Sequence, residues 1–185
     1  RPKANMATRL FVGIVEGVIN INPRFLLSFT IDLPKSGDYA NLSLAGLNPG
    51  TSYSALLKGS AQIATASAFL MSPTVTNLNK GDAIFLTSGD LNEDNTINTA
   101  DYSIAQKALG STSKSANWNE NVDLNKDGVV NSLDLGVIIK NLGKIGASGI
   151  WTSPIPQATP SGGLTEKTTQ SAAGGYWIWI PSLIH

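Results

Sequence analysis

Six positions in one stretch of this chain, and six more in a second, have the spacing of a cation-binding loop. Asp90, Asn92, Asp94, Thr96, Asn98 and Asp101 stand at positions 1, 3, 5, 7, 9 and 12 of the first stretch, and Asp123, Asn125, Asp127, Val129, Asn131 and Asp134 take the same positions in the second. Calcium is a hard ion with six to eight oxygen ligands, and a twelve-residue loop delivers them at this spacing because the chain spirals around the ion. Thr96 and Val129 would offer backbone carbonyls, Asn98 would act through a water, and Asp101 and Asp134 would close the two shells. Two bound Ca2+ ions are the expectation. Asp- and Asn-rich stretches are also the ordinary composition of solvated turns, but two complete matches in register argue against that reading.

Other chemistry is poorly provided for. The sequence has no cysteine and a single histidine, His185. Thiolate nucleophiles, disulfides and Cys-ligated zinc are therefore excluded, and the clustered carboxylates are already assigned to calcium. No catalytic residues are expected, and the chain is read as a non-enzyme. Charged residues are 14% of the sequence, with 13 basic against 13 acidic side chains, so there is no electrostatic footprint for nucleic acid or an anionic membrane. The most apolar stretches, 10–21 and 176–184, fall short of the ~20 residues needed for a membrane-spanning helix.

The two loops belong to an internal repeat. "GDLNEDNTINTADYSIAQKALG" can be laid over "VDLNKDGVVNSLDLGVIIKNLG" with Asp90 and Asp123, 33 residues apart, in register. Position 6 must turn sharply, often in a left-handed conformation; Gly128 stands there in the second copy and Asn95, a residue that tolerates it, in the first. Position 8 is apolar in both, Ile97 and Val130, and is expected to point inward. A short helix should follow each loop, with Tyr102, Ala105 and Leu109 in one and Leu135, Ile138, Ile139 and Leu142 in the other forming small apolar faces. Gly110 and Gly143 should stop them.

This duplicated "DLNxDGxVNxxDxxxLxxxLG" pattern, over 56 residues, resembles the dockerin family. Asp at position 12, where an EF-hand has Glu, is typical of that family. The resemblance implies a pair of calcium-loop and helix (F-hand) motifs that dock onto a cohesin, with recognition residues at loop positions 10 and 11, here Thr99 and Ala100 and then Ser132 and Leu133. The copies differ on the following helices, Gln106 facing Ile139 and Ala108 facing Asn141, so docking through both copies is not expected.

The loops need a frame, and the sequence before them reads as β. In "RFLLSFTIDLP" Phe25, Leu27, Phe29, Ile31 and Leu33 alternate with polar residues, which buries one side of a strand. Further strands are expected at "TRLFVGIVEGVI", "ANLSLAGL", "SYSALLKGS", "QIATASAFLM" and "DAIFL", between turn signals. That spacing suggests a sandwich. "LAGLNPGTSY" resembles the corner of fibronectin type III and other immunoglobulin-like domains, which implies that the Tyr53 hydroxyl returns to upstream backbone. The predicted fold is mainly β with a small α module: an immunoglobulin-like β-sandwich over 1–87, a dockerin-like calcium module over 88–146, and an extended arm over 147–185.

The arm is rich in Ser, Thr, Gly, Pro and Ala and ends in "YWIWIPSLIH". Tyr176, Trp177, Ile178, Trp179 and Ile180 alternate with both faces apolar, a pattern that asks for burial on two sides. Added as a strand to a neighbouring subunit, these residues would bind other copies of the chain and build a homopolymeric surface fibre; folding back onto their own sandwich is the alternative. Self-assembly is the leading expectation for function and cohesin docking the second. Loops of this kind fill with calcium outside cells and not in the cytosol, which places the protein extracellularly or on a cell surface.

Overall fold

The computed structural model describes residues 8–34, 36–79 and 82–152. Within them β1 (Thr8–Glu16), β2 (Leu27–Leu33), β3 (Ser52–Gly59), β4 (Gln62–Ile63), β5 (Thr65–Leu70), β6 (Thr87–Ser88), α1 (Thr99–Ala108) and α2 (Ser132–Asn141) follow one another. Among the described residues the protein is mainly β with two helices, and no barrel closes. The expected strand Tyr176, Trp177, Ile178, Trp179 and Ile180 lies outside them.

Alternation at 27–33 does what period two requires: Leu27, Phe29, Ile31 and Leu33 pack into one core. An all-antiparallel sheet in the order β2-β1-β3-β5 sets Leu10, Val12 and Ile14 opposite Ile31, Phe29 and Leu27. On the other side of β1, Val12 lies opposite Leu57 and Ile14 opposite Ala55. Phe25 departs from the expected row. It precedes β2 and packs on the opposite face with Val15, Leu56 and Trp151. Its ring meets Phe11 edge-on at 5.4 Å and lies against Gly13, where any Cβ would collide with it.

The sandwich expectation is met only in part. Residues 40–47 and 82–86, expected as strands, join no ladder. Leu42, Leu44, Leu47 and Ile84 are nevertheless buried and cover the sheet's core face with Leu78 and Met71. Their apolar spacing reflects burial, and burial does not require strand pairing. The stretch 62–71 divides at Ala64 into β4 and β5, because the polar groups of Ala64 leave the sheet. Its N–H donates to the Asn95 side chain at 2.6 Å and its carbonyl accepts from Ala147 N at 2.8 Å.

Tyr53 behaves as its corner position implies. Its ring stacks on Phe69 across the β3–β5 pair, and its hydroxyl accepts from Asn48 N at 3.0 Å. Tyr53→Phe removes that acceptor and leaves a part-buried N–H without it, so a loss of about 1–2 kcal/mol is expected in urea unfolding. A midpoint identical to the parent's would show that water replaces the hydroxyl without cost.

The central strand β3 is buried along nearly its whole length, Ser52 apart. One face carries the main core. The other lies under Trp151 and the first of the two loops, which is why Leu56, Ser54 and even Lys58 are buried there. Residues 147–152 of the expected arm are held against the sheet module and the first loop, and 153–185 lie outside the described residues. Ala147 N donates to Ala64 O between β4 and β5, Trp151 N donates to Asp94 O at 2.8 Å, and Trp151 Nε1 donates to Ser148 Oγ at 2.8 Å. Residues 143–152 form a strap that closes the second module onto the first.

Candidate metal centre

Each loop is built by short-range hydrogen bonding that its residue types make nearly obligatory. Asp101 Oδ1 accepts from Leu91 N and Asn92 N at 2.7 and 3.1 Å, and Oδ2 accepts from Asn98 N at 2.8 Å. Asp134 repeats this with Leu124 N, Asn125 N and Asn131 N at 2.9, 3.2 and 2.9 Å. The position-12 carboxylate thus gathers the start of its loop and the start of the following helix in one place. Asn98 and Asn131 cap α1 and α2, accepting from Ala100 N and Leu133 N, and with Asp101 and Asp134 they form capping boxes. The sequence carries a signal for this second duty as well, Asn three residues before Asp at a helix start.

The remaining donors are arranged alike in the two copies. Asn92 Nδ2 donates to Asp94 Oδ2 and Asn125 Nδ2 to Asp127 Oδ2, both at 2.9 Å. Thr96 N and Val129 N donate to the position-5 carboxylates, again at 2.9 Å. The Val129 N–H first, then the amides of Asn125 and Asn131, hold the Asp127 carboxyl below its ordinary range. Position 6 is left-handed in both loops, Asn95 at φ 65° and Gly128 at φ 89°. Ile97 and Val130 are fully buried in one cluster with Ala105, Val122 and Ile138. Each is also clamped by the far end of the other copy. Ile97 N donates to Lys144 O and Gly143 N to Ile97 O, while Val130 N donates to Ser111 O and Gly110 N to Val130 O. The two copies interlock, so neither loop is built independently of the other.

Asp90 is the exception to this symmetry. Its counterpart Asp123 accepts from Asp127 N at 3.1 Å and Gly128 N at 2.9 Å, one bond to each oxygen. Asp90 takes Asn95 N at 3.1 Å and the Lys58 ammonium at 3.2 Å on the same oxygen, Oδ2. Oδ1 is left buried with no hydrogen-bond partner among the described residues. Burial pushes this carboxyl above its ordinary range, against the opposing pull of Lys58. A buried carboxylate oxygen without a donor costs free energy unless a cation meets it, so the residues present fit calcium. Carboxylates alone do not converge: among the described residues no three acidic side chains close on one point. A shell here depends on amide and carbonyl oxygens as well.

Asn95 does more than turn the chain. Besides accepting from Ala64 N, its side chain donates to Ala147 O at 2.9 Å and Gly149 O at 2.6 Å, and it is completely buried. Glycine would make the same turn and none of these bonds. The role is invisible in the sequence because all three partners are distant along the chain.

Two interlocked twelve-residue loops, each followed by a capped helix, define the site. Residues 88–143 match the Dockerin type I domain. Among solved structures, a chain of the C-terminal interface mutant of the type II cohesin–X-dockerin complex from Acetivibrio cellulolyticus is 20% identical, with 78% of this chain and 84% of that one covered and a TM-score of 0.52. A chain of the N-terminal interface mutant of the same complex gives 22% identity, 78% and 85% coverage and a TM-score of 0.49. The first of these likenesses is one of fold and reaches beyond the dockerin module into the sheet. No curated protein matches the chain.

On the dockerin module the positions implied for recognition, Thr99, Ala100, Ser132 and Leu133, are the first two residues of each helix, and all are exposed. The copies are unlike on their outward faces. Leu133 and Ile139, 65% and 55% exposed, flank Gly136 on α2, where α1 has Ala100 and Gln106 around Ser103. Leu109, Ile139 and Leu142, expected on the apolar faces, are exposed; Leu109 and Leu142 stand just past the helix ends as C-cap residues. The Ala108 and Asn141 difference is not on that outward surface at all. Both are buried, and Asn141 Nδ2 donates to Ser88 O at 2.9 Å, tying α2 to β6.

Proposed function

We propose that this chain carries a calcium-dependent docking module whose partner is a cohesin. The match of residues 88–143 to the Dockerin type I domain carries the reading, supported by loops that keep an oxygen donor at every ligand position. Asp90, Asn92, Asp94, the Thr96 carbonyl, Asn98 and Asp101 would hold one ion, and Asp123, Asn125, Asp127, the Val129 carbonyl, Asn131 and Asp134 the other. Calcium, when bound, would neutralise the three carboxylates of each loop and fix the helix that follows.

The second copy presents the docking face. An exposed Leu133 and Ile139 around a glycine offer an apolar, flat contact, and burying it would supply the hydrophobic centre that stable interfaces need. The role is binding and not catalysis, in a secreted or cell-surface protein. Among the described residues no helix is long and apolar enough to cross a membrane. The sheet module is taken as an immunoglobulin-like relative on the strength of the Tyr53 corner. Self-assembly into a fibre, the leading expectation from sequence, gives way to docking: the comparisons support a cohesin partner better, and residues 176–180 on which the fibre rested are outside the described structure.

Calorimetric titration of the calcium-loaded chain with a type I cohesin tests the reading, with a type II cohesin in parallel. Binding to the type I partner is expected, and it should vanish in EDTA. Leu133→Asp and Ile139→Asp should each weaken it about tenfold or more, whereas Ala100→Asp and Gln106→Asp leave it nearly unchanged. Absence of binding to either cohesin with calcium present would remove the proposal, and equal sensitivity of both helices would remove its assignment to one face.

A further inference from the structure

The sheet module reaches into the first loop. Lys58, on β3, is 3% exposed, and its ammonium lies 3.2 Å from Asp90 Oδ2, with Gly59 O at 3.3 Å and the Trp151 ring 5.9 Å away. Among the described residues no cation touches the equivalent Asp123. Lys126, at position 4 of the second loop, is exposed and donates to Glu120 O at 2.6 Å. From this placement of a buried ammonium against one position-1 carboxylate and not the other, we propose that Lys58 makes the two calcium sites unequal, the first loop being the weaker, and that it serves as a stand-in cation holding that loop closed when calcium is absent. The inference rests on the calcium reading above.

Two effects of opposite sign follow from the same charge. Without calcium, Lys58 neutralises Asp90 in a dry seam where an unpaired carboxylate would be costly, and so preserves the loop and its packing on the sheet. With calcium on the partnerless Oδ1, the ammonium is a like charge one carboxylate away, in a place that salt screens little. Each loop otherwise brings three carboxylates, Asp90, Asp94 and Asp101 against Asp123, Asp127 and Asp134. Position 4 works in the other direction, with Glu93 in the first loop and Lys126 in the second, but Lys126 is exposed and Glu93 partly so. Water therefore weakens their influence on the ion relative to that of a buried ammonium.

Titrating the whole chain with calcium chloride in a calorimeter should resolve two steps separated by about tenfold or more in affinity, and Asp123→Ala should abolish the tighter one. Lys58→Met, which keeps the apolar stem without the charge, should draw the two steps together. It should also lower the melting temperature in EDTA by more than in calcium, a difference that a merely structural lysine would not produce. Lys58→Gln serves the same purpose if the methionine variant does not fold. Coincident steps in the native chain, or loss of the weaker step in Asp123→Ala, overturn the inference while leaving the calcium reading intact. Absence of any calcium binding at millimolar concentration overturns both.

Discussion

Excess EDTA is expected to lower the melting temperature by more than about 10 °C and to reduce part of the helical circular dichroism, with full recovery in millimolar calcium chloride. The dockerin module has a small core, in which Ile97, Ala105, Ala108, Val122, Val130, Leu135 and Ile138 are the buried apolar residues besides Ile63 lent by the sheet. A core of that size leaves little stability of its own. An ion at a thousand times its dissociation constant adds about 4 kcal/mol, and a chain of this length shifts by about 2–4 °C per kcal/mol, so two ions comfortably exceed the stated threshold. Because each loop's position-8 residue is held by the other copy, loss of one ion should loosen both helices. An identical melting curve and helical signal in EDTA would mean that the capping boxes and the Lys58–Asp90 pair hold the module without metal.

Asn95→Gly is expected to cost about 2–4 kcal/mol in urea unfolding and to split a single transition into two. Glycine keeps the left-handed turn at φ 65°, so the substitution isolates the side chain's bonds to Ala64 N, Ala147 O and Gly149 O. Each bond is worth about 1 kcal/mol, more where a buried partner is left unsatisfied. All three cross between the first loop and either the sheet or the strap, which is why uncoupling should accompany the loss. Asn95→Ala should be worse by about a further 1 kcal/mol, since a Cβ residue without a compensating hydrogen bond is strained at positive φ. One unbroken transition with the parent's midpoint in Asn95→Gly would mean that the strap and Trp151 suffice to hold the modules together.

How much of this was legible in the sequence depends on how far apart the interacting residues stand. Asn95 and Gly128 as left-handed turns, Ile97 and Val130 as inward residues, and Gly110 and Gly143 as helix stops all follow from spacings of a dozen residues or fewer. The row Leu27, Phe29, Ile31 and Leu33 was readable for the same reason, since a period of two exposes one face to one environment. Phe25 continued that row on paper but left it in space, because the absence of a side chain at Gly13 opened a seat on the opposite face. Residues 40–47 and 82–86 have strand-like apolar spacing yet join no ladder. The Ala108 and Asn141 pair resembled a partner-recognition difference and proved to be an internal tie.

Local order was therefore written in the chain itself: two loops, their caps, their helices and the oxygen donors at fixed intervals, because backbone geometry alone brings such neighbours together. Only the tertiary structure decided that Trp151 straps the modules, that Asn95 joins three segments, and that a lysine from β3 rests against one loop and not the other. Those contacts join residues from about 30 to more than 90 positions apart, a separation at which spacing carries no information and only the packed layers decide which side chains meet.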